Sequence, residues 1–182
     1  MTNRRDFIKY AASFCALGSS ALLLPKGAAA ATNLTSERKL EFLHLHTGET
    51  LNTTYWADGD YVAEELDNIN YVLRDFRSGA IEPIDKNLLD LLYLLQQQVG
   101  KTAPYHIISA YRSPTTNAAL RKRSKGVARR SMHLLGKAID IRLPGVALNH
   151  LRQAALSLRL GGVGYYPKSD FVHVDTGRVR YW

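Results

Sequence analysis

Two short segments in the second half of the chain alternate apolar and polar residues with the two-residue period of a β-strand. In residues 137–143 the aliphatic side chains fall on one face, which leaves Asp140 on the other. In residues 171–175 two valines take one face, and His173 and Asp175 take the opposite one. If the two strands are neighbours in a sheet, Asp140 and His173 lie side by side on a face that the aliphatic residues do not use.

A third residue, His133, completes a set of metal ligands. It lies in the loop before the first of these strands, and Gly136 allows that loop to turn tightly. Two imidazoles and one carboxylate bind zinc and leave a fourth tetrahedral position for water, which is the plan of a catalytic zinc site. Zinc lowers the pKa of such a water towards ~7. We therefore predict one zinc ion per chain, held by His133, Asp140 and His173. The alternative is two ordinary, partly buried histidines and a surface carboxylate.

The remaining pattern predicts an α+β domain. Apolar residues recur at helical spacing in residues 62–76, and again between Asp85, a suitable N-cap, and Gly100. Further expected elements are a hairpin in 40–56, strands at 105–111, 137–143, 163–166 and 171–175, and helices at 115–122 and 147–158. Two helices followed mainly by short strands favour helices packed on a small antiparallel sheet. We expect a polar linker over residues 32–38 and one domain over residues 39–182, a length that suits a single core.

The first 31 residues are typical of an export signal, because a basic start precedes an apolar stretch and a run of small residues. The pair Arg4-Arg5 favours the twin-arginine type, and ordinary secretion is the alternative. Cleavage is expected near Ala30 or Ala31. The mature protein is therefore expected in the periplasm.

Charge and cysteine content narrow the choice of partners. Removing residues 1–30 takes away four basic and one acidic residue, which lowers the net charge from +8 to +5. Much of the excess lies in residues 121–130, as a solvated basic loop or as a surface that attracts an acidic polymer outside the cytoplasm. Export and the lack of interleaved aromatic residues argue against nucleic acid. Cys15, the only cysteine, lies in the export signal, so the mature chain has no disulfide and no catalytic thiol.

The same positions resemble a known group of enzymes. His133, Gly136, Ala138 and Asp140 match the His-x-x-Gly-x-Ala-x-Asp motif of the D-alanyl-D-alanine-type zinc peptidases, called LAS or M15, and residues 171–175 match their second motif. Further similarity lies at residues 46–49, 109–113 and 161–167 and at Trp182. Nearly the whole mature chain is thus similar to the murein endopeptidase K (YcbK-like) branch, and residues 39–182 are expected to form a single zinc peptidase domain.

The resemblance implies a fold of the D-Ala-D-Ala peptidase and hedgehog type, and hydrolysis of peptide cross-links in peptidoglycan. It also implies that Arg112 stabilises the oxyanion at the scissile carbonyl. Related enzymes carry an acid three residues before the second histidine ligand, which makes Asp170 the first candidate for the general base. Asp175 is the second candidate, and it also suits a role in orienting an imidazole.

Two other functions remain open at this point. A non-catalytic zinc-containing protein would bind peptidoglycan with the same fold and the basic segment 121–130. A D,D-carboxypeptidase would remove a terminal D-Ala. In each case the expected partners are peptidoglycan peptides, with no nucleic acid and no membrane anchor after signal cleavage.

Overall fold

The computed structural model describes residues 37–124 and 126–182, which form eight strands and four α-helices. The strands are β1 Glu37–His44, β2 Thr50–Ala57, β3 Asp60–Tyr61, β4 Tyr105–Ser109, β5 Ala138–Arg142, β6 Gly162–Tyr166, β7 Phe171–Asp175 and β8 Arg180–Tyr181. The helices are α1 Ala63–Val72, α2 Lys86–Val99, α3 Pro114–Arg123 and α4 Leu148–Leu158, with short 3-10 helices at Met132–Leu135 and Pro167–Ser169. The predicted export signal, residues 1–31, lies outside the described residues.

All eight strands belong to one sheet, in the order β3-β2-β1-β4-β5-β7-β6-β8. The α+β class is confirmed, but the expectation of a small antiparallel sheet was wrong. The sheet is mixed, because β1 pairs with β4 and β6 pairs with β8 in parallel, while the other pairs are antiparallel. A parallel pair needs a long crossover, and α1 and α2 supply it between β1 and β4. The sequence pattern located these helices without showing which strands they join.

Strand β1 begins at Glu37, within the segment expected as a linker, and Arg38 forms an ion pair with Asp90 of α2. The predicted limits of α2 are confirmed. Asp85 accepts a hydrogen bond from the Asn87 N–H at the helix start, and Gly100 ends the helix in the left-handed conformation.

The core lies between the sheet and helices α2 and α4, which contact each other as well as strands of both halves of the sheet. Ile139 and Ile141 of β5 and Val172 and Val174 of β7 are fully buried in this apolar cluster. The strand alternation predicted for both segments is therefore confirmed. It leaves the residues between them on the opposite face, where the functional site lies.

Among residues 37–124 and 126–182, no helix combines the length and the apolar character needed to cross a bilayer.

Candidate metal centre and active site

Three predicted ligands meet on the face of the sheet opposite the core. Asp140 of β5 is paired directly with His173 of β7, and His133 comes from the 3-10 helix before β5. Nδ1 of His173 lies 2.8 Å from Asp140 Oδ1 and 3.2 Å from His133 Nε2, and His133 Nε2 lies 3.3 Å from Asp140 Oδ1. A tetrahedral zinc ion with bonds of ~2.0–2.1 Å holds its ligand atoms about 3.3 Å apart. The three atoms thus fit a small cation of this kind.

The ring of His133 is oriented by the backbone. Its Nδ1 lies 2.6 Å from the carbonyl oxygen of Ala110, so Nδ1 carries the proton and Nε2 is left as the ligand atom. The loop that carries His133 turns at Gly136, whose φ is +63°. A Cβ atom at this position would lie 2.3 Å from the carbonyl oxygen of Pro83. Glycine is therefore required both for the turn and for the close approach of the two backbones.

The ring of His173 is oriented by a buried carboxylate. Nε2 of His173 lies 2.9 Å from Oδ2 of Asp175, whose side chain is fully buried. Asp175 is in turn held by two hydrogen bonds from Arg180, at 2.6 and 2.9 Å, and by the N–H groups of Gly177 and Gly162. With Nε2 fixed in this way, Nδ1 of His173 points to the other two ligand atoms. Asp175 thus has the geometry of a residue that positions a metal ligand.

The charges of the site suit a cation. Burial alone would raise the pKa of Asp140, but its attraction to His133 and its hydrogen bonds with both histidines hold that pKa well below its usual range. Burial alone would lower the pKa of His173, but hydrogen bonds to Asp140 and Asp175 raise it. The carboxylate is therefore ionised, and Nδ1 of His173 must lose its proton before it can act as a ligand.

Arg112 lies beside the predicted ligands, in the short connection between β4 and α3. Its Nη2 is 3.7 Å from Asp140 Oδ2, and its backbone N–H donates to the carbonyl oxygen of His133. Ser109 and Asn117 accept hydrogen bonds of 3.5 and 3.4 Å from the same guanidinium group. The side chain of Arg112 is only 11% exposed. Burial lowers the pKa of Arg112 and the charge of Asp140 opposes this shift, so the guanidinium group stays protonated at neutral pH.

Residues 32–182 match the family Peptidase_M15_2, which is described as Peptidoglycan L,D-endopeptidase MepK. The chain belongs to this family. Peptidases of the M15 family depend on a metal ion, in agreement with the cluster of His133, Asp140 and His173. The resemblance to the murein endopeptidase K branch is thereby confirmed.

Individual members of the MepK family are similar to this chain over most of their length. The Peptidoglycan L,D-endopeptidase MepK of Escherichia coli (strain K12) is 46% identical over 180 residues, which cover 99% of this chain and 97% of that protein. The Probable peptidoglycan L,D-endopeptidase MepK of Haemophilus influenzae is 42% identical over 168 residues, covering 92% and 89%. No solved structure matches this chain.

A pocket of about 440 Å³ opens beside the ligands in this MepK-family chain. Besides His133, Asp140, His173 and Arg112, it is lined by Arg130, Tyr166, Phe171, Arg180 and Trp182, among others. Tyr166 stacks on Phe171, and its hydroxyl oxygen accepts a 2.7 Å hydrogen bond from Nε1 of Trp182. No sequence motif predicted a role for these aromatic residues.

One sequence signal could have located Trp182. Gly164 lies in β6, where glycine is uncommon unless another group approaches closely. A Cβ atom on Gly164 would lie 2.7 Å from the indole ring of Trp182, so this glycine makes room for the ring. The indole centroid is 5.3 Å from that of His173. Trp182 therefore forms one wall of the pocket, next to His173.

The structure does not bring Asp170 to the other site residues. Strand β7 begins at Phe171, so Asp170 lies immediately before the strand. However, Asp170 has a positive φ of 53°, its carboxylate is bound to Arg142, and it is not among the residues that line the pocket. Asp175 lies behind His173, also outside the pocket lining.

Proposed function

We propose that this chain is a zinc-dependent peptidoglycan endopeptidase that hydrolyses a cross-link between an L- and a D-centre. The observation that carries the proposal is the buried cluster of His133, Asp140 and His173 beside Arg112 in an open pocket. Membership of the MepK family and relatives named peptidoglycan L,D-endopeptidases support the substrate.

The residues present have separate roles in this proposal. His133, Asp140 and His173 would hold the zinc ion, which when bound supplies a Lewis acid and lowers the pKa of water to ~7. Arg112 would donate hydrogen bonds to the oxygen of the scissile carbonyl as negative charge develops there. Its neighbours Ser109 and Asn117 limit the motion of its guanidinium group, which favours this role because a fixed donor needs no reorganisation during the reaction.

The identity of the general base is a further proposal, with Asp170 first and Asp175 second. A base must come within ~3 Å of the proton that it accepts. Asp170 can do so only after its ion pair with Arg142 opens. The carboxylate of Asp175 already accepts hydrogen bonds from His173 and Arg180. These bonds suit Asp175 better to orienting His173 than to accepting a proton.

Replacing each aspartate by asparagine separates these roles. If Asp170 is the base, Asp170→Asn lowers kcat by about 10²-fold and leaves bound metal unchanged. This is the lower end of the range for a general base, because the carboxylate is paired with Arg142. Asp175→Asn weakens metal binding by roughly 10- to 100-fold, because it no longer fixes the ring of His173. The measurements are kcat on one defined muropeptide and zinc content. An unchanged kcat for Asp170→Asn removes Asp170 from the mechanism, and unchanged zinc affinity for Asp175→Asn removes the positioning role.

Removing the metal is expected to stop the reaction. Treatment with EDTA should abolish cleavage of purified cross-linked muropeptides, and one equivalent of Zn²⁺ per chain should restore it, because the three ligands form one site. The products are identified by mass spectrometry. Substrates linked through two diaminopimelates, through D-Ala and diaminopimelate, or ending in D-Ala distinguish the L,D-endopeptidase from the D,D-enzymes. Full activity in a metal-free sample, or no cleavage of any substrate by the zinc-loaded protein, contradicts the proposal.

A non-catalytic peptidoglycan-binding protein is the second candidate. It is favoured by the placement of Asp170 and Asp175, since neither lines the pocket. The two candidates differ in whether they release peptides from wall preparations. A binding protein sediments with the wall without releasing peptides, whereas the endopeptidase releases soluble fragments.

Two further proposals concern the fold and the location of the protein. The fold is proposed to be of the D-Ala-D-Ala peptidase and hedgehog type, on the strength of the metal ligands carried by neighbouring strands β5 and β7. Residues 1–31 are proposed to export the chain to the periplasm by the twin-arginine route, supported by Arg4 and Arg5.

A further inference from the structure

The pocket carries more positive than negative charge. Three arginines line it, Arg112, Arg130 and Arg180, whereas Asp140 is the only carboxylate among the residues of its lining. Asp140 is also a metal ligand in the proposed function, so its charge is opposed by the cation that it would bind. A pocket of this composition attracts an anionic group of the substrate.

Two of the three arginines already have partners. Arg180 forms two hydrogen bonds with the carboxylate of Asp175. Nη2 of Arg112 lies near Asp140 and Ser109, and its Nη1 donates to Asn117. These guanidinium groups are held in place by the protein. In each of them, both outer nitrogen atoms already have a partner in the protein.

Arg130 differs from the other two. Within residues 37–124 and 126–182, its guanidinium group forms no hydrogen bond or ion pair, and its side chain is exposed at the pocket. The adjacent Ser131 also lines the pocket, and its hydroxyl group has no partner among the same residues. Two neighbouring residues of the pocket lining therefore carry donors without a protein acceptor among the described residues, three and two positions before His133.

We propose that Arg130, assisted by Ser131, binds the free carboxylate next to the scissile bond of the substrate. The inference rests on the proposed function. In a cross-link formed through the D-centre of diaminopimelate, the carbon that bears the scissile amide nitrogen also bears a free carboxylate. A guanidinium group can bind such a carboxylate through two parallel hydrogen bonds, which fix its orientation as well as its position.

This contact selects substrates by charge. A bond whose amine-side residue carries a free carboxylate is cleaved efficiently, whereas the same bond next to a carboxamide is cleaved poorly. The carboxamide has the same size but no charge, and its NH₂ group cannot accept a hydrogen bond from Arg130. The discrimination arises at the rim of the pocket and leaves the metal ligands untouched.

The test compares two synthetic cross-linked dimers that differ only in this group, a free carboxylate or a carboxamide. The measured quantity is the ratio of kcat/KM between them, for the zinc-loaded wild-type protein and for Arg130→Gln, Arg130→Lys and Arg129→Gln. We expect a wild-type ratio of about tenfold in favour of the carboxylate, since a charge-assisted hydrogen bond has this order of effect. Arg130→Gln should reduce the ratio to near one, chiefly through KM, and Arg130→Lys should give an intermediate value.

Arg129→Gln is the matched control, because Arg129 is also exposed and adjacent but does not line the pocket. It should keep the wild-type ratio. An equal ratio for wild type and Arg130→Gln overturns the inference, as does an equal loss of selectivity in Arg129→Gln, which would indicate general electrostatic attraction. If wild type cleaves neither dimer, the proposed function fails and the inference fails with it. Thermal unfolding and zinc content of each variant show whether the fold and the metal site are retained.

Discussion

Replacing His133 by alanine is expected to remove the bound metal and to lower peptidase activity by roughly 10³-fold or more, because the metal supplies the activated water. Only Asp140 and His173 then remain as ligands, and two ligands bind zinc far more weakly than three. The fold should survive, since His133 lies on the face opposite the apolar core and the polar contacts of its ring are with the Ala110 carbonyl, Asp140 and His173. The measurements are zinc content, muropeptide cleavage and the thermal unfolding midpoint.

His150 provides the control for this experiment. It is an exposed histidine of α4, away from the pocket lining, so His150→Ala should keep metal and activity. If His133→Ala still binds one zinc ion with wild-type affinity, the assignment of the site is wrong. If it loses activity but still sediments with wall preparations, binding and catalysis are separable, and a function limited to binding is excluded.

The clustering of Asp140 and His173 could be predicted from the sequence because strand alternation is a local rule. Ile139 and Ile141 must face the core, and this places Asp140 on the other face whatever the rest of the fold does. The same holds for His173 between two buried valines. Direct pairing of Asp140 with His173 required only that β5 and β7 be neighbours, which is how the sheet is built.

Other features depend on contacts between distant segments, and no local pattern encodes them. The bond of Asp170 to Arg142 joins residues 28 positions apart, and Asp170 does not line the pocket. The parallel pairing of β1 with β4 depends on how α1 and α2 cross the sheet. Long-range packing of this kind decides which polar groups reach the site, so the ligands were easier to predict than the base.

Replacing Arg112 by methionine is expected to lower kcat by about 10²- to 10³-fold, the usual loss when one fixed donor to an oxyanion is removed. Methionine fills a similar volume but donates no hydrogen bond, so Ser109 and Asn117 lose a partner while the pocket keeps its shape. Arg112→Lys should recover only part of the loss, because an ammonium group lacks the planar arrangement of donors.

The metal affinity of Arg112→Met gives the decisive second measurement. Arg112 Nη2 lies 3.7 Å from Asp140 Oδ2, so in the wild-type protein its positive charge opposes the binding of a cation by that carboxylate. Removing the charge should leave zinc affinity unchanged or increase it, while kcat falls. A general disturbance of the site would instead lower both quantities together. A fall in kcat with retained or tighter zinc binding therefore identifies Arg112 as a group that acts on the substrate, and a wild-type kcat excludes that role.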